Sequence, residues 1–146
     1  MTPIIPDATM VYCWERGVLF VRHSALSPTN QAWNGHIRLM EQHVPRGGAV
    51  RTLVKTDGGG PSASQREALN AVTKELDWQM KVAVMTQSVV VRGIITAFAW
   101  VGLMKIRAFP MDGHAAALNS LEADPLLQAQ AESIFQKLEA NLSKAA

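Results

Sequence analysis

A glycine-rich segment between a predicted strand and a predicted helix is the most distinctive local feature of the chain. Gly58, Gly59 and Gly60 follow Asp57 and precede Ser62. The backbone amides of such a loop, with the positive end of the following helix, could bind an anion. Glycines also permit a sharp strand-to-helix turn that needs no ligand. Both interpretations stay open, but the segment lacks the Gly-Lys-[Ser/Thr] ending of a P-loop and the dinucleotide-binding fingerprint.

Ser62 and Ser64 place two hydroxyls at the start of the helix that follows this loop. Ser62, with Gln65 three residues later, matches a capping box and so predicts a structural cap. Either serine could instead carry a phosphate, because negative charge is favourable at a helix N-terminus. Nucleophilic catalysis is not expected, since no Gly-x-Ser-x-Gly elbow is present. We expect Asp57 to hold the loop by accepting hydrogen bonds from its amides.

No group of residues has the spacing of a metal site or of an acid–base pair. Two of the four histidines (His23, His36, His43 and His114) lie on one predicted helix but seven residues apart. That separation is about 10.5 Å along the helix axis, too far to share one ion, so we expect all four at the surface or partly buried. The single cysteine, Cys13, excludes an internal disulfide and a multi-cysteine metal site. We therefore expect no metal, no cofactor and no enzymatic activity.

Arg92 interrupts the most apolar run of the chain, residues 89–104. A guanidinium in such a run must reach solvent or find an acidic or carbonyl partner. One interpretation is a structural ion pair with Asp57. The other is a ligand-binding rim formed by Arg92, Asp57, Thr86 and the glycines, because ligands of parallel α/β sheets bind at the carboxyl ends of the strands.

Composition excludes several classes of protein. The 146 residues suit one globular domain. Fourteen basic against twelve acidic side chains leave a net charge of +2, which is too small for a nucleic-acid-binding protein. The amino-terminal residues do not resemble a signal peptide. The apolar run is shorter than the roughly 20 residues of a membrane span, so it predicts a buried core helix. We expect no membrane insertion and a cytoplasmic location.

Periodicity and turn residues predict five strands and five helices. The lead-in, 1–9, is irregular. Strands are predicted at 10–14, 18–23, 50–55, 81–86 and 105–109, the first two joined by a turn at Glu15, Arg16 and Gly17. Helices are predicted from an N-cap at Ser27 to Val44, from 62 to 76, from Ser88 to about 102, from a cap at Asp112 to Leu121, and from 125 to 144. The order is β-β-α-β-α-β-α-β-α plus a terminal helix, which indicates an α/β fold.

This order, with a strand ending at Asp57 and a serine-capped helix after it, resembles the STAS domain of anti-sigma-factor antagonists and the wider SpoIIAA-like, STAS/SEC14-like group. The resemblance covers residues 10–121 and leaves 122–146 as an additional C-terminal helix. It implies a mixed sheet with an antiparallel edge, and a serine at the start of the second helix that a partner kinase phosphorylates. Ser62 or Ser64 lies near that position, and Asp57 matches the acid at the strand end. The family's adjacent Asp-Ser pair is absent here.

The resemblance implies a non-catalytic bacterial regulatory module that binds a protein partner, such as a kinase or anti-sigma-like protein. The alternative is a domain that binds a nucleotide, phosphate or lipid through residues 58–64 and Arg92. The last helix carries an apolar stripe that must be covered by its own sheet or by a second chain. We expect a homodimer. The stripe consists of Leu127, Ile134, Phe135, Leu138 and Leu142.

Overall fold

A five-stranded mixed sheet forms the centre of the molecule. The computed structural model describes residues 1–89, 91 and 104–144. The strands are β1 (Met10–Glu15), β2 (Val18–His23), β3 (Ala49–Thr56), β4 (Gln79–Thr86) and β5 (Met104–Phe109). They lie in the order β1-β2-β3-β4-β5, with β1 antiparallel to β2 and every other pair parallel. The expected α/β fold with an antiparallel edge is confirmed.

Four helices are present in the described ranges. They are α1 (Asn30–His43), α2 (Ala63–Glu75), α3 (His114–Ser120) and α4 (Leu126–Lys144). The helix predicted from Ser88 to about 102 lies almost wholly outside the described residues, and Arg92 lies outside them too. Its predicted cap is described: the Ser88 hydroxyl accepts a hydrogen bond from the Val91 amide at 3.1 Å. None of the described helices is both long and apolar enough to cross a bilayer.

The two faces of the sheet carry separate cores because neighbouring side chains of a strand point in opposite directions. Helices α1 and α2 cover one face and α3 and α4 cover the other. The α1/α2 core includes Leu19, Val21, Trp33, Ile37, Met40, Val50, Leu69 and Met80. The α3/α4 core includes Cys13, Phe20, Leu53, Met85, Leu118, Leu127, Phe135 and Leu138. Neighbouring residues of β2 thus belong to different layers, which decides the side of the sheet on which each functional group lies.

The β1–β2 hairpin and the start of α1 show how local and distant contacts set the ends of elements. Arg16 and Gly17 both have positive φ, 47° and 80°, as a tight two-residue hairpin turn requires. The predicted cap of α1 at Ser27 is wrong, because Thr29 is the N-cap and its side chain accepts from the Ala32 amide. Asp7 accepts a hydrogen bond from the Thr29 hydroxyl at 3.1 Å, so the amino-terminal lead-in contacts the start of α1.

Two predictions at the carboxyl end of the chain have different outcomes. Asp112 does not cap α3; Gly113 is the N-cap, without a side-chain hydrogen bond. The stripe of α4 packs on its own sheet, where the ring of Phe135 meets that of Phe20 edge-on at 5.6 Å between centroids. Leu142 packs at the edge of the same core. The homodimer stays a prediction that this stripe does not require.

Candidate functional site

The carboxyl ends of β2, β3 and β4 meet at one edge of the sheet. We call this edge the rim and define it by the segments that follow the three strands, residues 24–29, 57–62 and 87–89. His23, Thr56 and Thr86 lie in one register row across the three strands. Their neighbours Arg22 and Lys55 form a second row, on the opposite face of the sheet. The rim therefore has an α1/α2 side and an α3/α4 side.

On the α1/α2 side, the glycine loop, Gly58–Gly60, is held by hydrogen bonds within the chain. The Thr56 hydroxyl accepts from the Gly58 amide at 3.0 Å and donates to the Gly59 carbonyl at 2.7 Å. The Gly59 amide donates to the Ser24 carbonyl at 2.9 Å. A Cβ on Gly59 would overlap the carbonyl oxygens of Ser24 and Leu26. Two amides that could have bound an anion are thus engaged, which favours the interpretation of this loop as a turn.

Asp57 does not hold the loop amides as expected. Its carboxylate oxygens both accept from Nη2 of Arg22 at 3.0 Å, and Oε1 of Glu139 accepts from the same atom at 3.0 Å. Thr56 performs the loop-holding role instead. The Arg22 side chain is only 4% exposed, so it needs these acidic partners. Sequence reasoning missed Arg22, although an arginine within an apolar strand was a signal that a carboxylate must lie nearby.

Ser62 and Ser64 lie beside each other on the exposed first turn of α2. The predicted capping box is present: the Ser62 hydroxyl accepts from the Gln65 amide at 3.2 Å, and Gln65 Oε1 accepts from the Ser62 amide at 3.0 Å. The two serine hydroxyl oxygens are 3.2 Å apart. Both residues are exposed. Ser62 is therefore a structural cap, and both hydroxyls lie at the surface.

His23 and His36 are buried, which contradicts the expectation that they lie at or near the surface. They are 4% and 3% exposed. Burial lowers the pKa of His23 to about 3 and that of His36 to about 4, so both are neutral at pH 7. His36 packs between the rings of Tyr12 and Trp33, at 6.0 and 4.3 Å between centroids. Its Nδ1 donates to the Trp33 carbonyl. In the part of the chain that the structure describes, no cluster of three metal-ligating side chains is found.

On the α3/α4 side, an open cleft of about 610 Å³ lies at the ends of β3, β4 and β5. Nζ of Lys55 lies 5.5 Å above the ring of Phe135. Nε2 of His114 is enclosed and has no hydrogen-bond partner among the described residues. Burial, and then the charge of Lys55, lower the pKa of His114. Of the cleft residues, only Thr86 was expected at a binding rim. The lining consists of Lys55, Thr86, Gln87, Pro110, Met111, Asp112 and His114.

Two large apolar side chains are exposed at the rim. Leu26, in the loop after β2, is 58% exposed, and Val89, in the helical residues that begin after the cap Ser88, is 72% exposed. The glycine loop contacts the backbone of Leu26 through Gly59. Exposed hydrophobic side chains thus lie on the segments on either side of the loop that leads to Ser62.

Comparison with known proteins bears on the fold. No protein-family model matches the chain, and no curated protein matches it. The chain is similar to a crystal structure of an uncharacterized protein of the DUF3478 family with a SpoIIAA-like fold, from Shewanella loihica PV-4. The TM-score is 0.54 at 15% sequence identity, and the match covers 83% of this chain and 98% of the other. The resemblance to STAS domains is confirmed at the level of architecture, and the chain adopts a SpoIIAA-like fold.

Proposed function

We propose that the chain is a non-catalytic regulatory module that binds a protein partner through the rim. The observation that carries the proposal is the exposure of Leu26 and Val89 on the segments that follow β2 and β4. Exposed apolar side chains next to polar groups are typical of protein-binding surfaces. Among the described residues, the other exposed large apolar side chains are Met1, Ile5 and Leu126, in the amino-terminal lead-in and at the start of α4.

The chemical state of the nucleophiles and bases supports binding rather than catalysis. Ser62 is engaged in its capping box, with no histidine among its hydrogen-bond partners. Cys13 is buried, and burial raises the pKa of its thiol to about 12, so it is not a thiolate at neutral pH. The neutral ring of His23 is enclosed beneath the rim. A nucleophile with an adjacent base is therefore not assembled among these residues.

The same surface suits regulation by phosphorylation. Ser62 and Ser64 are exposed at the N-terminus of α2, where a phosphate is electrostatically favourable. Asp57 is also exposed nearby, so an added phosphate would make the surface strongly acidic and would weaken binding to an acidic or apolar partner. We propose a kinase or anti-sigma-like protein as the partner, and the cytoplasm as the location. The homodimer belongs to the same proposal.

The alternative function, binding of a nucleotide, phosphate or lipid through residues 58–64 and Arg92, has less support. The amides of Gly58 and Gly59 already donate to Thr56 and Ser24. An anion bound at this loop would have to replace these hydrogen bonds. Arg92 lies outside the described residues, so it supports neither of the two functions.

A pair of leucine substitutions tests the partner surface. Leu26→Glu places a charge on the rim, whereas Leu126→Glu places one on a side chain that is 56% exposed at the start of α4. Each tagged full-length variant is expressed in the native cell and its bound proteins are quantified by mass spectrometry. We expect wild type and Leu126→Glu to retain the same partner and Leu26→Glu to lose about tenfold or more of it.

Equal partner recovery by the two variants would place the interface elsewhere, and no specific partner for wild type would contradict the module. Circular dichroism melting of both variants controls for folding. The recovered wild-type chain is also expected to carry a phosphate on Ser62 or Ser64. A chain never phosphorylated under any growth condition would contradict the switch while leaving the interaction intact.

A further inference from the structure

We propose that the cleft on the α3/α4 side binds a small polar molecule that carries one anionic group, a phosphate or a carboxylate. This site is separate from the partner surface at Leu26 and does not depend on it. Its location is the usual one for ligands of parallel sheets, beyond the carboxyl ends of β3, β4 and β5. Its volume of about 610 Å³ lies within the range of small-molecule sites, about 300–1,000 Å³.

The anionic group of the ligand is inferred from the ion-pair partners of Lys55. No carboxylate of the described residues lies within the 4.0 Å ion-pair distance of its Nζ atom, and residues 92–103 contain no aspartate or glutamate. Arg22, by contrast, is paired with Asp57 and Glu139. The ammonium of Lys55 lies over the Phe135 ring, which positions its side chain without occupying its N–H groups in an ion pair. A cation of this kind in a cleft is matched by an anion.

A neutral polar group of the same cleft would add a hydrogen bond. Gln87 is exposed and lines the cleft together with Lys55, so its side-chain amide can donate to a bound anion. The Thr86 side chain lies in the row of His23 and Thr56, on the opposite face of the sheet from Lys55, and is not part of this set.

Asp112 restricts the ligand further. It also lines the cleft, and no ion pair with Lys55 is formed. A carboxylate repels a second anionic group but accepts hydrogen bonds from hydroxyl or amino groups. The cleft therefore fits a molecule with its anionic group at the Lys55 end and a hydroxyl or amino group at the Asp112 end.

Thermal unfolding of the full chain with defined probes tests this site. The probes are inorganic phosphate, acetate and glycerol phosphate, each compared with sodium chloride at equal ionic strength. Lys55→Met removes the charge but keeps an apolar stem on Phe135, and Lys105→Met removes an exposed lysine outside the cleft. We expect at least one probe to raise the Tm of wild type and of Lys105→Met by several degrees, and to have little effect on Lys55→Met. Comparison of the Tm shift with phosphate and the Tm shift with acetate shows which anion is preferred.

The proposal is overturned if no probe exceeds the chloride control with wild type, or if Lys55→Met responds as wild type does. Asp112→Asn is the second variant, needed if Lys55→Met fails to fold. Because it removes a repulsive charge, it should bind inorganic phosphate or acetate several-fold more tightly in calorimetric titration. Unchanged or weaker anion binding by Asp112→Asn would also overturn the site.

Discussion

On the α1/α2 side of the rim, the amides of Gly58 and Gly59 donate to Thr56 and Ser24, whereas on the α3/α4 side Lys55 lines an open cleft and pairs with no carboxylate of the described residues. The first side contains the most distinctive sequence of the chain. The second contains no recognisable motif. Of these two regions, the one without a motif contains the cation for which we propose a ligand.

The difference shows what a glycine-rich loop does and does not indicate. Gly59 is required because its backbone touches the carbonyl groups of Ser24 and Leu26, a purely structural reason. A binding site needs donors or charges that the protein itself has not used. Lys55 meets that condition within the described part of the chain, where no carboxylate pairs with it, and its own sequence context does not show this.

If the α1/α2 side excludes water as the structure shows, a fall in pH should lower the free energy of unfolding more than any of the substitutions below. The folded-state pKa values of His23 and His36 are about 3 and about 4, below the ordinary value of 6.5. Above about pH 7 both histidines are neutral in the folded chain and in the unfolded chain. As the pH falls through 6.5, the unfolded chain binds two protons that the folded chain does not, and stability is lost progressively down to about pH 4. At pH 5 the expected loss is about 2 kcal/mol for each histidine, measured by urea unfolding at pH 8 and pH 5.

Two histidine variants serve as controls for the acid experiment. His36→Gln should remove about half of the pH dependence, because only His23 then remains as a buried histidine on this side. His43→Gln is the matched substitution of an exposed histidine, which stacks on Trp14 at 4.8 Å between centroids. A wild-type stability that does not change between pH 8 and pH 5 would show that water reaches this side of the rim.

Substitution of the glycine loop should have the next largest effect. Gly59→Val should lower the free energy of unfolding by about 3 kcal/mol, because its side chain would overlap backbone carbonyl groups that cannot move independently. Gly60→Ala is the matched control: a Cβ there meets open space, so less than about 1 kcal/mol is expected. Chemical denaturation of both variants measures the difference. Equal stabilities would mean that the loop is merely permissive.

The serines at the start of α2 should show the smallest effect. Ser62→Ala removes the cap on the Gln65 amide and should cost about 1 kcal/mol of stability. Ser64→Ala should cost no more than a few tenths of a kcal/mol, because its hydroxyl contacts only that of Ser62 among the described side chains. Comparable losses for the two variants, measured by the same denaturation experiment, would assign Ser64 a structural role and weaken its candidacy as a phosphorylation site.

The elements that the sequence predicted well depend on residues close together in the chain. Positive φ at Arg16 and Gly17 makes the hairpin, Ser62 and Gln65 close the capping box, and the spacing of apolar residues identifies α4. Each of these elements depends on residues within a few helical turns or within one pair of adjacent strands. Periodicity and the residues of tight turns therefore suffice to predict it. The order of strands and helices follows from these local elements.

Tertiary structure alone decided the partners of the functional groups. Arg22 meets Asp57, 35 residues away, and Glu139, 117 residues away. Thr29 rather than Ser27 caps α1, and its hydroxyl donates to Asp7, 22 residues away. A single sequence records which residue types are present and how they alternate, but not which distant groups the folded chain brings within hydrogen-bond range. For that reason the sequence by itself determined the elements and the fold class, while packing of the sheet layers determined that Asp57 pairs with Arg22 and that Lys55 lies over Phe135 in the cleft.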